Sequence, residues 1–204
     1  MSFNTHWSGK SIALIIWTLA ILLGWNGTTY SNPVQPQQET FEQTKSLGGG
    51  SHPQLPESRL QGKATMRYWG MEIYHARLWT LPSFSVGIAG DQPVVLELEY
   101  LRSLNGNAIA ERSLKEMLRA AAVSDSQAKK WLEEMKAIFP DVKSGDRLTG
   151  QHIPGQGAVF WYNGRQIGQI DDADFARLFF GIWLSPNTSE PEMRMALLGR
   201  GMID

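Results

Sequence analysis

Strict alternation of apolar and polar positions marks the clearest strand of this chain. In Val94–Tyr100, Val94, Leu96, Leu98 and Tyr100 share one side while Glu97 and Glu99 take the other, the period of a strand buried on one face. The same reasoning predicts an opening hairpin, Leu60–Trp69 and Met71–Trp79, turning at Gly70 and closed off by Pro82. Two further runs, Arg147–Ile153 and Ala158–Tyr162, read as strands joined through Pro154–Gly157. Asn163–Gly164, a preferred type I′ pair, then returns the chain antiparallel as Arg165–Ile170.

The period changes to 3.6 in four places. Asn105–Gly106–Asn107 leads into a helix expected over Ala108–Val123, with Ile109, Leu114, Met117, Leu118 and Ala121 as its core side. Ser124 and Gln127 form a capping box for a second helix, whose stripe of Ala128, Trp131, Leu132, Met135, Ile138 and Phe139 ends at Pro140. Asp171 or Asp172 caps a third, with Phe175, Leu178, Phe179, Ile182 and Trp183 forming a wide apolar face. A fourth is expected to begin at Ser189, with Glu192 three residues on, Pro191 in its first turn and Gly199 past its end. Strands, two helices, strands, two helices: this order predicts an α+β fold, an antiparallel sheet with its helices on one face.

Residues Ser11–Trp25 form a nearly unbroken apolar run behind Lys10, shorter than the roughly 20 residues that span a bilayer comfortably. The run reads as an export signal over residues 1–31, with Thr29 and Ser31 in a small-x-small pattern before Asn32. An uncleaved anchor to the inner membrane is the alternative. Residues 32–56, rich in Pro, Gln and Gly, read as a flexible linker, and 57–204 as the folded domain. With 42% hydrophobic residues the 204-residue chain can bury a substantial core.

Composition removes several function classes. Nineteen basic and twenty acidic residues give a net charge of -1, so nothing drives polynucleotide binding by counterion release. The absence of cysteine rules out disulfides, thiolate metal sites, a cysteine nucleophile and a lipoprotein anchor. Within 57–204 the two histidines, His75 and His152, lack metal-ligand spacing, and Asp171, Asp172 and Asp174 sit where helix capping accounts for them. No nucleophile elbow, P-loop or dinucleotide fingerprint occurs, so neither metal nor cofactor is expected.

Four segments in order, GKATMRYWGMEIYHARLW, VVLELEYLRSLNGNAIAERSLKEM, FPDVKSGDRLTG and Asp171–Gly199, resemble the chalcone isomerase-like family in its bacterial exported branch, over residues 57–199. The resemblance implies an open-faced β-sandwich: a large antiparallel sheet, a layer of α-helices on one face, and a ligand cleft between them. Some members of that family cyclise chalcones, and others bind fatty acids. In the enzymes an arginine on the first hairpin strand stabilises the phenolate oxygen. Arg67 stands nearest here, although a one-residue slip would turn it to the other face. Ile109 and Glu116 stand where the enzymes carry a tyrosine and an asparagine, so chalcone cyclisation is not expected.

The candidate ligand-binding residues are therefore Arg67, Tyr74 and Tyr100. An arginine among aromatic rings can clamp a carboxylate while the rings cover an acyl chain. Each also has a plainer reading, the arginine as a solvated strand residue and the tyrosines as half-buried strand aromatics. Arg77 is expected to face solvent. The leading expectation is a periplasmic protein that binds a small amphipathic carboxylate such as a fatty acid, meeting a membrane only through an uncleaved N-terminal segment. The alternatives are an isomerase or intramolecular lyase acting on an enone, with Arg67 stabilising the oxyanion, and a non-catalytic scaffold.

Overall fold

Alternation in the strand segments produces a sheet with two chemically distinct faces. The computed structural model describes residues 50–86 and 91–200. Among them, β1 (Arg59–Tyr68), β2 (Met71–Thr80), β3 (Val94–Tyr100), β4 (Arg147–Ile153), β5 (Gly157–Tyr162) and β6 (Arg165–Ile170) pair antiparallel in sequential order. Helices α1 (Gly106–Ala120) and α2 (Asp125–Ile138) stand between β3 and β4, and α3 (Ala173–Leu184) and α4 (Pro191–Leu197) follow β6. The expected α+β sandwich is the observed one.

Leu78, Leu96, Leu98, Leu148, Phe160 and Ile170 form one buried face and pack into a single core with the helices. The aromatic side chains of α3 dominate that core, with Phe175 and Phe179 stacked 5.5 Å apart and Phe179 edge-on to Phe160 at 5.3 Å. On the opposite face the Arg77 guanidinium joins Glu97 at 2.8 Å and Glu99 at 2.9 Å, and Arg147 reaches Glu99 at 3.3 Å. Arg77 is therefore half-buried in a charged network across three strands, not solvated as expected, because Glu97 and Glu99 share its face of the sheet.

Caps set most helix ends. Asn105 Oδ1 accepts from the amides of Asn107 and Ala108, so α1 begins at Gly106, before the expected Ala108. Gly106 is needed there because a Cβ would meet the Phe139 carbonyl. Ser124 caps α2 as expected. Asp172 caps α3 with one oxygen, at 2.9 Å from Phe175 N, and with the other accepts from Trp131 Nε1 at 2.9 Å, tying α2 to the start of α3. At α4 the predicted capping box does not form. Glu190 flanks the helix without a side-chain cap bond, and the Ser189 hydroxyl is directed to Glu116 instead. Gly199, at φ +69°, ends α4 as expected.

The α1 face is wider than the expected one: Ile109, Leu114 and Ala121 pack against the core as expected, and further residues join them. Ala110, Ser113, Glu116 and Met117 are buried, whereas Leu118 is 41% exposed. Ser113 and Glu116 can turn inward because both are satisfied there, Ser113 by the Ile109 carbonyl and Glu116 by the partners described below. The predicted linker also ends earlier than residue 56. His52 and Leu55 are buried, the His52 amide N–H donates to Ser58 Oγ at 2.9 Å, and the His52 ring lies 5.5 Å from Trp79. The predicted export segment, residues 1–31, lies outside the described residues.

Candidate functional site

The apolar faces of sheet and helices do not close completely. Strands β1–β3 and helices α1 and α3 leave a cavity of about 350 Å³, a size that fits a small ligand. Its body is apolar, formed by Met66, Leu98, Leu104, Ile109, Phe179 and Ile182. Polar side chains break that lining: Arg112, Glu116 and Ser189, which are joined to one another, together with Ser113, Glu190, Tyr74 and Tyr100.

Two of the three sequence-predicted residues meet here. Tyr74 on β2 and Tyr100 on β3 are cross-strand partners whose rings stand edge to face, 5.8 Å apart. Tyr74 Oη accepts from Trp183 Nε1 at 3.1 Å. Burial pushes its pKa up to about 12, against the opposing pull of the Trp183 bond. Its hydroxyl thus stays protonated near neutrality and, among the described residues, has no acceptor for that proton. Burial also pushes the Tyr100 phenol up, and its side chain makes no hydrogen bond to a described residue. Both hydroxyls therefore keep a donor for whatever fills the cavity.

Arg67 is not there. Met66 and Tyr68 line the cavity, so strand alternation sends the residue between them to the other face, where Arg67 Nη2 pairs with Glu72 at 2.6 Å and the side chain is 61% exposed. A register shift between Met66 and Arg67 sets its partner as Glu72 rather than Ile73. An oxyanion role routed through Arg67 accordingly loses its geometric basis.

The guanidinium that does line the cavity is Arg112, on α1, which sequence reasoning missed. Its Nη2 lies 2.9 Å from Glu116 Oε1, while Glu116 Oε2 accepts from Arg119 Nε at 3.1 Å and from Ser189 Oγ at 2.9 Å. Burial alone would raise the Glu116 pKa. The Ser189 hydrogen bond and the two arginines outweigh it and hold the carboxyl below its ordinary value. Glu116 and Ile109 both line the cavity. The visible signal for Arg112 was its i,i+4 spacing to Glu116, a pairing that on sequence alone reads as an ordinary surface ion pair.

The family model described as chalcone isomerase-like matches residues 56–199. An uncharacterized protein of Haemophilus influenzae is 32% identical over 110 residues, 54% of this chain and 54% of that protein, so the chain spans about half the length of that relative. Among solved structures, a fatty-acid binding protein of Arabidopsis thaliana superposes with a TM-score of 0.53 at 12% identity, covering 74% of this chain and 96% of that one.

Proposed function

The chain belongs to the chalcone isomerase-like family, and from that premise we propose that it binds a small amphipathic carboxylate, such as a fatty acid, between sheet and helices without cyclising chalcones. One observation carries this reading. A mainly apolar cavity holds three groups with hydrogen-bond donors to spare, the Tyr74 and Tyr100 hydroxyls and the Arg112 guanidinium, beside Glu190 and the arginine-paired Glu116. Donors converging at the side of an apolar cavity suit an acceptor-only head group with a hydrocarbon tail. The description of the Arabidopsis structural neighbour as a fatty-acid binding protein supports the same ligand class. The apolar run Ser11–Trp25 supports a periplasmic setting, with the domain either released or held at the inner membrane.

Arg112 takes the part first expected of Arg67. It is half exposed at its outer end and already shared with Glu116, so its contribution is discounted from that of a fully buried pair. Titration of the full chain with fatty acids of graded length tests the reading. Arg112→Gln is expected to weaken binding roughly tenfold, about 1.4 kcal/mol, and Arg67→Ala to leave it unchanged. Absence of fatty-acid binding by the parent defeats the ligand class. Equal affinity of Arg112→Gln and the parent defeats the assignment of the head-group site.

A further inference from the structure

The β1–β2 turn carries a side chain that the fold itself does not use. Trp69 is 85% exposed, and among the described residues its ring has one aromatic neighbour, Tyr68, 6.3 Å away. Its backbone sits at φ +52°, followed by Gly70 at φ +75°. That left-handed position suits asparagine or glycine and is unfavourable for a bulky side chain. The equivalent position of the β5–β6 turn holds Asn163, at φ +50°. Trp69 thus adds turn strain and an exposed indole without contributing to the core.

Its surroundings are of one kind. The β2–β3 ladder ends at Tyr74–Tyr100, so residues 67–72 pair only within the hairpin and stand beyond the central strands. At this tip Tyr68 is 52% exposed and Met71 44% exposed. Arg67 and Arg102 flank it, Arg102 lying against Met71 Sδ at 2.8 Å, with Glu72 as the one acid at the turn. Tyr68 also lines the cavity, which places the tip on its rim.

We infer that the Tyr68–Met71 tip docks on an anionic lipid bilayer, with Trp69 seated in the interface, and that the rim of the cavity is thereby brought against the membrane. An amphipathic indole, a phenol and a thioether on a protruding turn, with a net excess of one arginine, match the apolar-below, anionic-above layering of such a surface. A narrow turn offers far less than the roughly 800 Å² per partner of a stable protein interface, but it can enter the headgroup layer. Docking needs no ligand. Only the further step, transfer of the ligand between bilayer and cavity, rests on the proposed function.

The chain has no cysteine, so one introduced thiol can be labelled uniquely. The full chain carrying Met71→Cys with an environment-sensitive dye is mixed with vesicles of phosphatidylcholine and phosphatidylglycerol, with and without nitroxide-bearing lipid. The expected result is a blue shift, quenched by the nitroxide, that needs about tenfold more lipid once Trp69→Asn is added. Asparagine suits the turn, so this substitution tests the indole and not the fold. A label at Lys129→Cys, on the outer face of α2, is expected to remain in water.

The inference is overturned if the label at 71 stays in water while the chain sediments with vesicles, as recruitment through residues 11–25 alone would produce. It is equally overturned if Trp69→Asn leaves the lipid dependence unchanged. A blue shift that grows with protein concentration and resists nitroxide assigns the tip to a second copy of the chain instead. Fatty-acid titration in vesicle-free buffer reports separately on the cavity, so failure of docking and failure of the ligand reading remain distinct.

Discussion

Glu116 lies 9% exposed between Arg112 and Arg119, and its charge shapes both stability and ligand preference. The carboxylate is stabilised in the fold, so its pKa is lowered there and its contribution is present above the unfolded-state value. That contribution is lost as pH falls through the folded value. Glu116→Gln keeps the shape but removes a negative charge from the cavity wall and frees Arg112 for a ligand. The variant is expected to be less stable at neutral pH by about 1 to 2 kcal/mol and to bind a fatty-acid carboxylate several-fold more tightly. Calorimetric melting and fatty-acid titration of the same preparation check both signs, and weaker binding would show that Glu116 positions the ligand rather than repelling it. The residue itself was visible in the sequence, but its use was not. A carboxylate on a helix reads as solvated until its neighbours in space are known.

At the scale of elements, α3 was the most legible part of the chain because its cap, length and apolar stripe all agree. Asp172, Phe175, Phe179 and Trp183 hold the places expected of them. Ile182 is only partly buried because it lines the cavity, and Phe180, outside the expected stripe, is buried against His152 at 5.3 Å. Trp183 joins the helix to the site, since it packs on Phe179 at 5.5 Å and donates to Tyr74. Trp183→Ala is expected to destabilise the domain by roughly 3 to 5 kcal/mol, the range for removing a large core aromatic. It should also weaken ligand binding by releasing Tyr74. A melting temperature equal to that of the parent would show that this end of α3 is peripheral. The start of α4 was misread because the local pattern places the cap at Ser189, whereas the helix is flanked by Glu190, one residue later, and the Ser189 hydroxyl donates to the Glu116 carboxylate on α1.

Across the whole molecule, acid sensitivity is built into the junction of sheet and turns. Asp146, before β4, accepts from Tyr162 Oη at 2.7 Å, Asn163 Nδ2 at 3.0 Å and the Lys143 amide at 2.8 Å. These bonds, that of Tyr162 foremost, lower its pKa from 3.8 to about 2. Below pH 4 the unfolded chain therefore takes up a proton that the folded one refuses, and stability falls as pH drops from about 4 to about 2. Asp146→Asn is expected to flatten the pH dependence of unfolding in that window, measured by denaturant titration at successive pH values. An unchanged slope would assign the acid loss to other carboxylates.

Strand alternation, the caps of α2 and α3, the Asn163–Gly164 turn and the order of elements depend on neighbours within a few residues, and the sequence by itself determined them. The antiparallel sheet, its helical cover and the placement of Tyr74 and Tyr100 on one face followed from those local rules. Which arginine reaches the cavity was decided only in three dimensions. Side-chain direction on β1 turns on a single-residue register, which puts Met66 and Tyr68 inside and Arg67 outside. The orientation of α1, set by packing on α2 and α3 as well as by its own apolar residues, brings Arg112 and Glu116 to the same space. Contacts between segments distant in the chain settle both choices, and no local pattern encodes them.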